Sequence, residues 1–272
     1  MLTLLIKKFK KLCIKLIVAC LIIAGFSTMM QAKDDQYINY YVNVDGEEEF
    51  MNISMENVIE TFQMNRQCDV IVRVGEYQGK AGKRIYVNNQ TVNIPDDIPI
   101  RNDRDGKGFY ISEWDINLKE AEALVKKLKE QGVNAIVQIS YDESTDLNAA
   151  GRLSNKSNPY LYISLHHNYF DSKSEGYFAM YNPNDKLSEY VAKRLSNSIK
   201  DNGMVQQRCN RPNTGYIGEL NAIHSGTTPV LLELGFFSNI SELEKICSDK
   251  YVDYVSTNLS KEIIEILNTD YK

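Results

Sequence analysis

The sequence is poor in cysteine, poor in histidine and has no excess of positive charge. Five cysteines in 272 residues fall far below the density of a small disulfide scaffold. No two of them are spaced as Cys-x-x-Cys, so a thiolate zinc site has no support. Thirty-one Lys+Arg against 36 Asp+Glu leave a net charge of −5, which argues against a general binder of nucleic acid or other polyanions. Internal repeats and low-complexity tracts are absent. A hydrophobic fraction of 43% and a charged fraction of 25% are near the globular average, which excludes wholesale disorder and a collagen-like chain. Histidine occurs only three times, so any imidazole chemistry has few residues to draw on.

What is present begins with an apolar N-terminus. Lys7, Lys8, Lys10, Lys11 and Lys15 precede an unbroken run over residues 16–26. Those 11 residues, at ~1.5 Å each, span about half of a ~30 Å hydrocarbon core. A basic stretch, a short apolar stretch and the small residue Ala32 read as a secretory signal peptide over residues 1–32. A signal-anchor is the competing reading, because Met30-Gln31-Ala32 is a poor cleavage site. Ile17-Val18-Ala19-Cys20 resembles a lipoprotein box but falls early in the run. Either way the remainder faces the outside, with the positive end in the cytoplasm. The mature part keeps Cys68, Cys209 and Cys247. Three is odd, so at least one thiol stays unpaired within the chain, and the plain reading makes them small buried hydrophobes.

Residues 33–66 form a tyrosine-rich, acidic extension. Tyr40-Tyr41-Val42-Asn43-Val44 before Asp45-Gly46 predicts a strand and turn, and Ser54 is placed to cap a helix to residue 64. Val70-Ile71-Val72-Arg73-Val74-Gly75 reads as a buried strand. Residues 77–110 form a long excursion, functional or carrying its own structure, with a small hairpin expected around Asn88-Asn89. Ile116, Leu118, Ala121, Leu124, Val125 and Leu128 recur at helical spacing until Gly132. Strands are predicted over 133–139, 160–165, 176–181 and 230–235, and helices over 185–200 and 249–268. Strands alternating with helices give a single α/β domain over residues 67–272, a mostly parallel twisted sheet with helices on both faces.

In such sheets sites gather beyond the carboxyl ends of the strands. Glu76, His166, His167, Asn168 and Glu233 stand there, and Glu113 opens a helix that reaches the same crevice. A carboxylate with imidazoles is a common catalytic zinc set, and a second glutamate serves as general base and acid. The plain alternatives are an ordinary satisfied histidine for His166 and a first-turn carboxylate favoured by the helix dipole for Glu113. Glu233 resists a plain reading, because a charge interrupting an apolar strand is costly to bury. His166 and His167 are neighbours on a strand and point to opposite faces, which disfavours their sharing one ion.

These residues carry a resemblance. Ser112-Glu113-Trp114-Asp115-Ile116-Asn117-Leu118, Tyr162-Ile163-Ser164-Leu165-His166-His167-Asn168 and Leu231-Leu232-Glu233-Leu234-Gly235-Phe236-Phe237-Ser238-Asn239 resemble, in order, three segments of the zinc-dependent N-acetylmuramoyl-L-alanine amidases, which are cell-wall hydrolases. The resemblance covers residues 67–272 and implies a zinc-exopeptidase/amidase-like fold. It further implies Glu113 and His166 as ligands of a single Zn²⁺ and Glu233 as catalytic acid/base. The reaction implied is hydrolysis of the amide between N-acetylmuramic acid and the L-alanine of the stem peptide. Arg152 sits where that family has an arginine, and Asn168 is placed to orient substrate. The family's first ligand is a histidine in a Gly-His-Gly-Gly-like turn, and here Val74-Gly75-Glu76-Tyr77-Gln78-Gly79 puts Glu76 in its place. The strand before Asp142 lacks the family's Thr-Arg pair and ends in Gln138-Ile139-Ser140-Tyr141.

Three outcomes follow for the metal. Glu76, Glu113 and His166 hold it; His167 or His224 supplies a second imidazole; or it is lost. His224 falls at a position that is not a ligand in the family. The expected partner is peptidoglycan outside the membrane, with the membrane itself contacted through an uncleaved N-terminal segment and no role for nucleic acid. The alternative is a catalytically impaired relative that binds cell wall or a partner protein.

Overall fold

A computed structural model describes residues 37–44, 47–54, 66–76, 83–139, 147–200, 203–215 and 217–271. The chain divides into two units, Met1–Arg66 and Gln67–Lys272. In the first, β1 (Tyr37–Val44) and β2 (Glu47–Ser54) pair antiparallel, in a register running from Tyr37↔Ser54 to Val44↔Glu47. Ser54 therefore closes a strand rather than standing alone as a cap, and the helix expected after it lies outside the described residues. So do the apolar residues of the N-terminus. Among the described residues no helix is long and apolar enough to cross a membrane.

The second unit is built on a six-stranded sheet. Its parallel centre consists of β3 (Val70–Val74), β7 (Ala135–Gln138), β8 (Leu161–Asn168) and β11 (Thr228–Phe236), in the order β7-β3-β8-β11. Beyond β11, β9 (Phe178–Tyr181) runs antiparallel, and β10 (Arg211–Pro212) pairs parallel with β9. The central strands are near-continuous apolar runs because both faces are covered. Val70, Val72, Val74, Leu161, Ile163, Leu165, Val230, Leu232 and Leu234 face the larger core. That core is closed by α1 (Glu113–Glu130), α3 (Lys186–Ser198), α5 (Ile240–Cys247) and α6 (Asp249–Asp270). Ile71, Tyr162 and Leu231 face a smaller core with Leu220 of the four-residue helix α4 (Gly218–Asn221). Helix α2 (Leu147–Asn155) packs against α4. Helices cover both faces, but unequally.

The excursion after β3 carries its own structure. In place of a local hairpin at Asn88-Asn89, β4 (Arg84–Tyr86), β6 (Gly108–Ser112) and β5 (Arg101–Asp103) form a three-stranded antiparallel sheet in the order β4-β6-β5. Asn88 Oδ1 accepts the Phe109 N–H and so ties the turn to β6. This sheet delivers the chain to α1, whose first residue is Glu113. Ser112 caps that helix, its hydroxyl accepting the Trp114 N–H at 3.3 Å. At the other end Gly132, at φ 82°, lets its own N–H reach Lys129 O at 3.0 Å and Val133 N–H reach Leu128 O at 3.1 Å, the paired bonds of a Schellman stop. Of the three cysteines, Cys68 and Cys247 are buried as expected, whereas Cys209 is exposed.

One buried group in α1 belongs to no site. Glu120 is buried with Oε1 lacking a hydrogen-bond donor, and burial raises its pKa to about 8. The folded state thus holds a proton that the unfolded chain releases near pH 4.5. The contribution of Glu120 to stability is therefore greatest below that pH and declines as pH rises toward 8. We expect Glu120→Gln to leave Tm within about 1 °C of wild type at pH 4.5 and to raise it by at least ~3 °C at pH 8. Calorimetry showing the same offset at both pH values would refute this assignment.

Candidate metal centre and active site

Four elements converge at the carboxyl ends of the central strands. β3 leads into Gly75 and Glu76, β8 ends in His166, His167 and Asn168, β11 carries Glu233, and α1 begins with Glu113. Gly75 is required by a close approach: a Cβ there would stand 2.4 Å from Leu165 O and 2.6 Å from the His166 ring. Its N–H donates to Leu165 O at 2.9 Å, which locks the end of β3 to β8. Glu76 follows in the left-handed region, at φ 62°, a strained setting for a non-glycine residue. Glu76, Glu113 and His166 each offer a ligand atom, and the three atoms lie within 4.8 Å of one another.

Strand alternation separates the two histidines. His167 turns toward α1, where Nδ1 meets Asn117 Oδ1 at 2.7 Å. Burial pushes its pKa down to about 3, so it is a neutral structural histidine. His166 turns to the other face with Nδ1 3.2 Å from Glu113 Oε1 and Nε2 3.6 Å from Glu219 Oε1. Burial alone would lower its pKa, but the neighbouring carboxylates of Glu113 and Glu219 raise it to about 10. Glu113 Oε1 also accepts the His167 backbone N–H at 3.1 Å and Asn117 Nδ2 at 3.2 Å. Burial would raise the Glu113 pKa, yet His166, Lys83 and Asn117 together bring it below the ordinary value. Lys83 Nζ is 3.3 Å from Glu76 Oε1 and 3.8 Å from Glu113 Oε2, its side chain 48% exposed. Burial would depress its pKa, but the carboxylates of Glu113, Glu76 and Glu233 raise it.

Glu233 pairs in register with His166 across β11 and β8. The residue is partly exposed, but its Oε2 is buried without a hydrogen-bond donor. Burial is the main cause that raises its pKa to about 7, with Glu113 adding to the rise and His166 opposing it. Glu113 Oε2 is likewise buried and lacks a donor. Two such oxygens beside an imidazole fit a divalent cation, and the oxygen, oxygen, nitrogen donor set suits zinc or a harder first-row ion.

Of the other residues singled out in the sequence, Asn168 ends β8 half-buried, its carbonyl accepting the Phe237 N–H at 3.0 Å. Arg152 lies exposed on α2. His224 follows α4 in a loop, its backbone N–H donating to Asn155 Oδ1 at 3.0 Å, and it is not in the ligand cluster. Residues 77–82 and 140–146 lie outside the described residues. Two residues escaped the sequence reading. Arg73, 0% exposed, places Nε 3.1 Å from Glu219 Oε2, itself 1% exposed. Arg73 interrupts an apolar strand just as Glu233 does, and that signal was available. Glu219 stands in a short loop helix, where an acidic residue reads as surface.

Comparison with known proteins gives the family and the fold. A family model described as N-acetylmuramoyl-L-alanine amidase matches residues 102–265, which include Glu113, His166, Glu219 and Glu233. The germination-specific N-acetylmuramoyl-L-alanine amidase of Bacillus subtilis is 27% identical over 179 residues, 58% of this chain and 71% of that protein. Among solved structures, the catalytic domain of the amidase CwlV from Bacillus (Paenibacillus) polymyxa var. colistinus superposes with a TM-score of 0.56 at 19% identity. It covers 75% of this chain and 99% of that one. The CwlD amidase from Clostridioides difficile, solved in complex with the GerS lipoprotein, gives a TM-score of 0.53 at 20% identity, covering 75% of this chain and 100% of that one. Sheet order, the clustered carboxylates and histidine, and a family match over more than half the chain lead to one conclusion: this chain belongs to the N-acetylmuramoyl-L-alanine amidase family.

Proposed function

We propose that the chain is a cell-envelope enzyme that hydrolyses the amide between the lactyl group of N-acetylmuramic acid and the L-alanine of the peptidoglycan stem peptide. Residues 1–32 carry it across the membrane as a signal peptide or hold it there as an anchor. The observation that supports this most is the convergence of Glu76, Glu113 and His166 within 4.8 Å beside Glu233. In this reading those three residues hold one zinc ion. When bound, zinc supplies Lewis-acid polarisation of the scissile carbonyl and acidifies water. Two carboxylates among the ligands make that Lewis acidity weaker than with two imidazoles, and they relax the preference for zinc over manganese or magnesium.

The remaining steps fall to the protein. Glu233 accepts a proton from the attacking water and returns it to the amide nitrogen as the C–N bond breaks. A carboxylate held near neutrality, at about 7, is suited to both transfers. Asn168 and Arg152 orient the muropeptide. A protein partner also belongs to this reading, since the Clostridioides difficile relative was solved with a lipoprotein bound. A second reading, an impaired relative that binds cell wall or a partner, draws support from Lys83, a cation already seated 3.3 Å from Glu76 and 3.8 Å from Glu113.

Metal analysis and a peptidoglycan-release assay on the full chain separate the two. Near-stoichiometric zinc is expected, with release that falls by about 10²–10⁴-fold in Glu233→Gln while the zinc is kept. A metal-free protein that added zinc does not activate would leave only the binding role. Glu76→His is expected to tighten zinc binding by about tenfold or more, because imidazole is the better zinc donor. An unchanged dissociation constant would remove Glu76 from the ligand set.

A further inference from the structure

The smaller face of the sheet carries a second charged cluster behind the ligand triad. Alternation along the strands points Arg73, Ser164, His166 and Glu233 to this side, next to the apolar Ile71, Tyr162 and Leu231. Glu219 reaches the cluster from α4. Its backbone is tightly held: Gly151 of α2 lies against it, a Cβ there standing 2.4 Å from Glu219 O. Asn155 Nδ2 donates to Ala222 O at 2.8 Å, and Asn213 Nδ2 donates to Ile217 O at 3.0 Å. The Glu219 carboxylate meets Arg73 Nε at 3.1 Å through Oε2, with the Tyr162 hydroxyl at 3.4 Å from the same oxygen. Arg73 is anchored in turn, Nη1 donating to Val74 O at 3.1 Å.

Buried atoms of this cluster that stand without a hydrogen-bond partner include Glu219 Oε1 and His166 Nε2, on facing side chains, and the Ser164 hydroxyl, which also interacts with Glu219. The first two stand 3.6 Å apart. An N–H on Nε2 pointing at Oε1 satisfies both, and a small rotation of either side chain closes the gap. Buried polar atoms are paired in native proteins because leaving them unpaired is costly. A carboxylate behind a ligand histidine fixes which ring nitrogen carries the proton and raises the basicity of the other.

We propose that Glu219, held by Arg73, is a positioning residue that keeps the proton of His166 on Nε2 and aims Nδ1 at the point it shares with Glu76 and Glu113. The assignment rests on the metal-site reading above for its purpose, but not for its hydrogen bond. Glu219 touches neither the ligand cluster's centre nor the substrate in this scheme; it acts through His166.

With three histidines in the chain, long-range ¹H–¹⁵N correlation on the full-length protein can be assigned by substitution. In metal-free wild type we expect a hydrogen-bonded proton on His166 Nε2 whose resonance moves upfield in Glu219→Gln, where a neutral amide oxygen replaces the carboxylate. In the zinc-loaded protein, Nδ1 is the nitrogen shifted by the ion. Calorimetric titration with zinc should show about 10–100-fold weaker binding in Glu219→Gln. Since that variant leaves the buried Arg73 charge uncompensated, Arg73→Met/Glu219→Gln, which removes both charges, serves as the folded control and should show the same loss. A proton on Nδ1 with Nε2 facing the zinc would overturn the proposal, as would wild-type zinc affinity in the double variant. If wild type binds no zinc, the metal-site reading fails, and whether the His166 Nε2 proton responds to Glu219→Gln in the metal-free spectrum still decides the role of Glu219.

Discussion

Glu113 has no exposed surface, yet one of its oxygens accepts the His167 backbone N–H and the Asn117 amide and lies 3.2 Å from His166 Nδ1. A carboxylate desolvated to this degree is tolerated only where local donors and cations replace water. The surrounding architecture meets that requirement. Ser112 caps α1 so that Glu113 is presented in its first turn, Asn117 one turn later ties it to Gly75 O at 3.2 Å, and β8 supplies both the backbone donor and the imidazole. Moving any of these by one residue along its element would turn the partner away from the carboxylate.

The same logic extends through the sheet as an alternation of charge. Arg73, Glu219, His166, Glu113 and Lys83 form a chain in which each buried charge is next to one of opposite sign. Glu233 stands beside this chain with a buried oxygen that lacks a donor. Its position in register with His166 follows from parallel pairing of β8 and β11, and its raised pKa follows from burial without a donor. One strand pairing thereby sets both the place and the protonation behaviour of this carboxylate.

Much of the fold could be read from periodicity. The apolar runs around Val70, Leu161 and Val230 form the parallel centre, and the helical spacing from Ile116 to Leu128 with Gly132 after it marks α1 closely, because burial on two faces or on one stripe leaves a pattern in sequence. The three-stranded sheet before α1 was less legible. Its partners Ile85↔Ile111 and Tyr86↔Tyr110 are distant in sequence, and Asn88-Asn89 looks like a local hairpin until β6 competes for the pairing. Helices α2 and α5 were not anticipated, and β9 gave no indication of its antiparallel direction, which depends on where the chain returns.

Sequence by itself determined that charged residues interrupt apolar strands, that His166 and His167 face opposite sides, and that Glu113 opens a helix, because each depends on the local geometry of one element. Tertiary structure alone decided that Glu76 comes within reach of Glu113 and His166, that Lys83 turns back onto them, and that Glu219 meets Arg73 behind the histidine. Those contacts join residues from seven to more than a hundred positions apart. Their distances are set by strand order, by the close approach permitted at Gly75 and Gly151, and by the need of each buried charge for a partner.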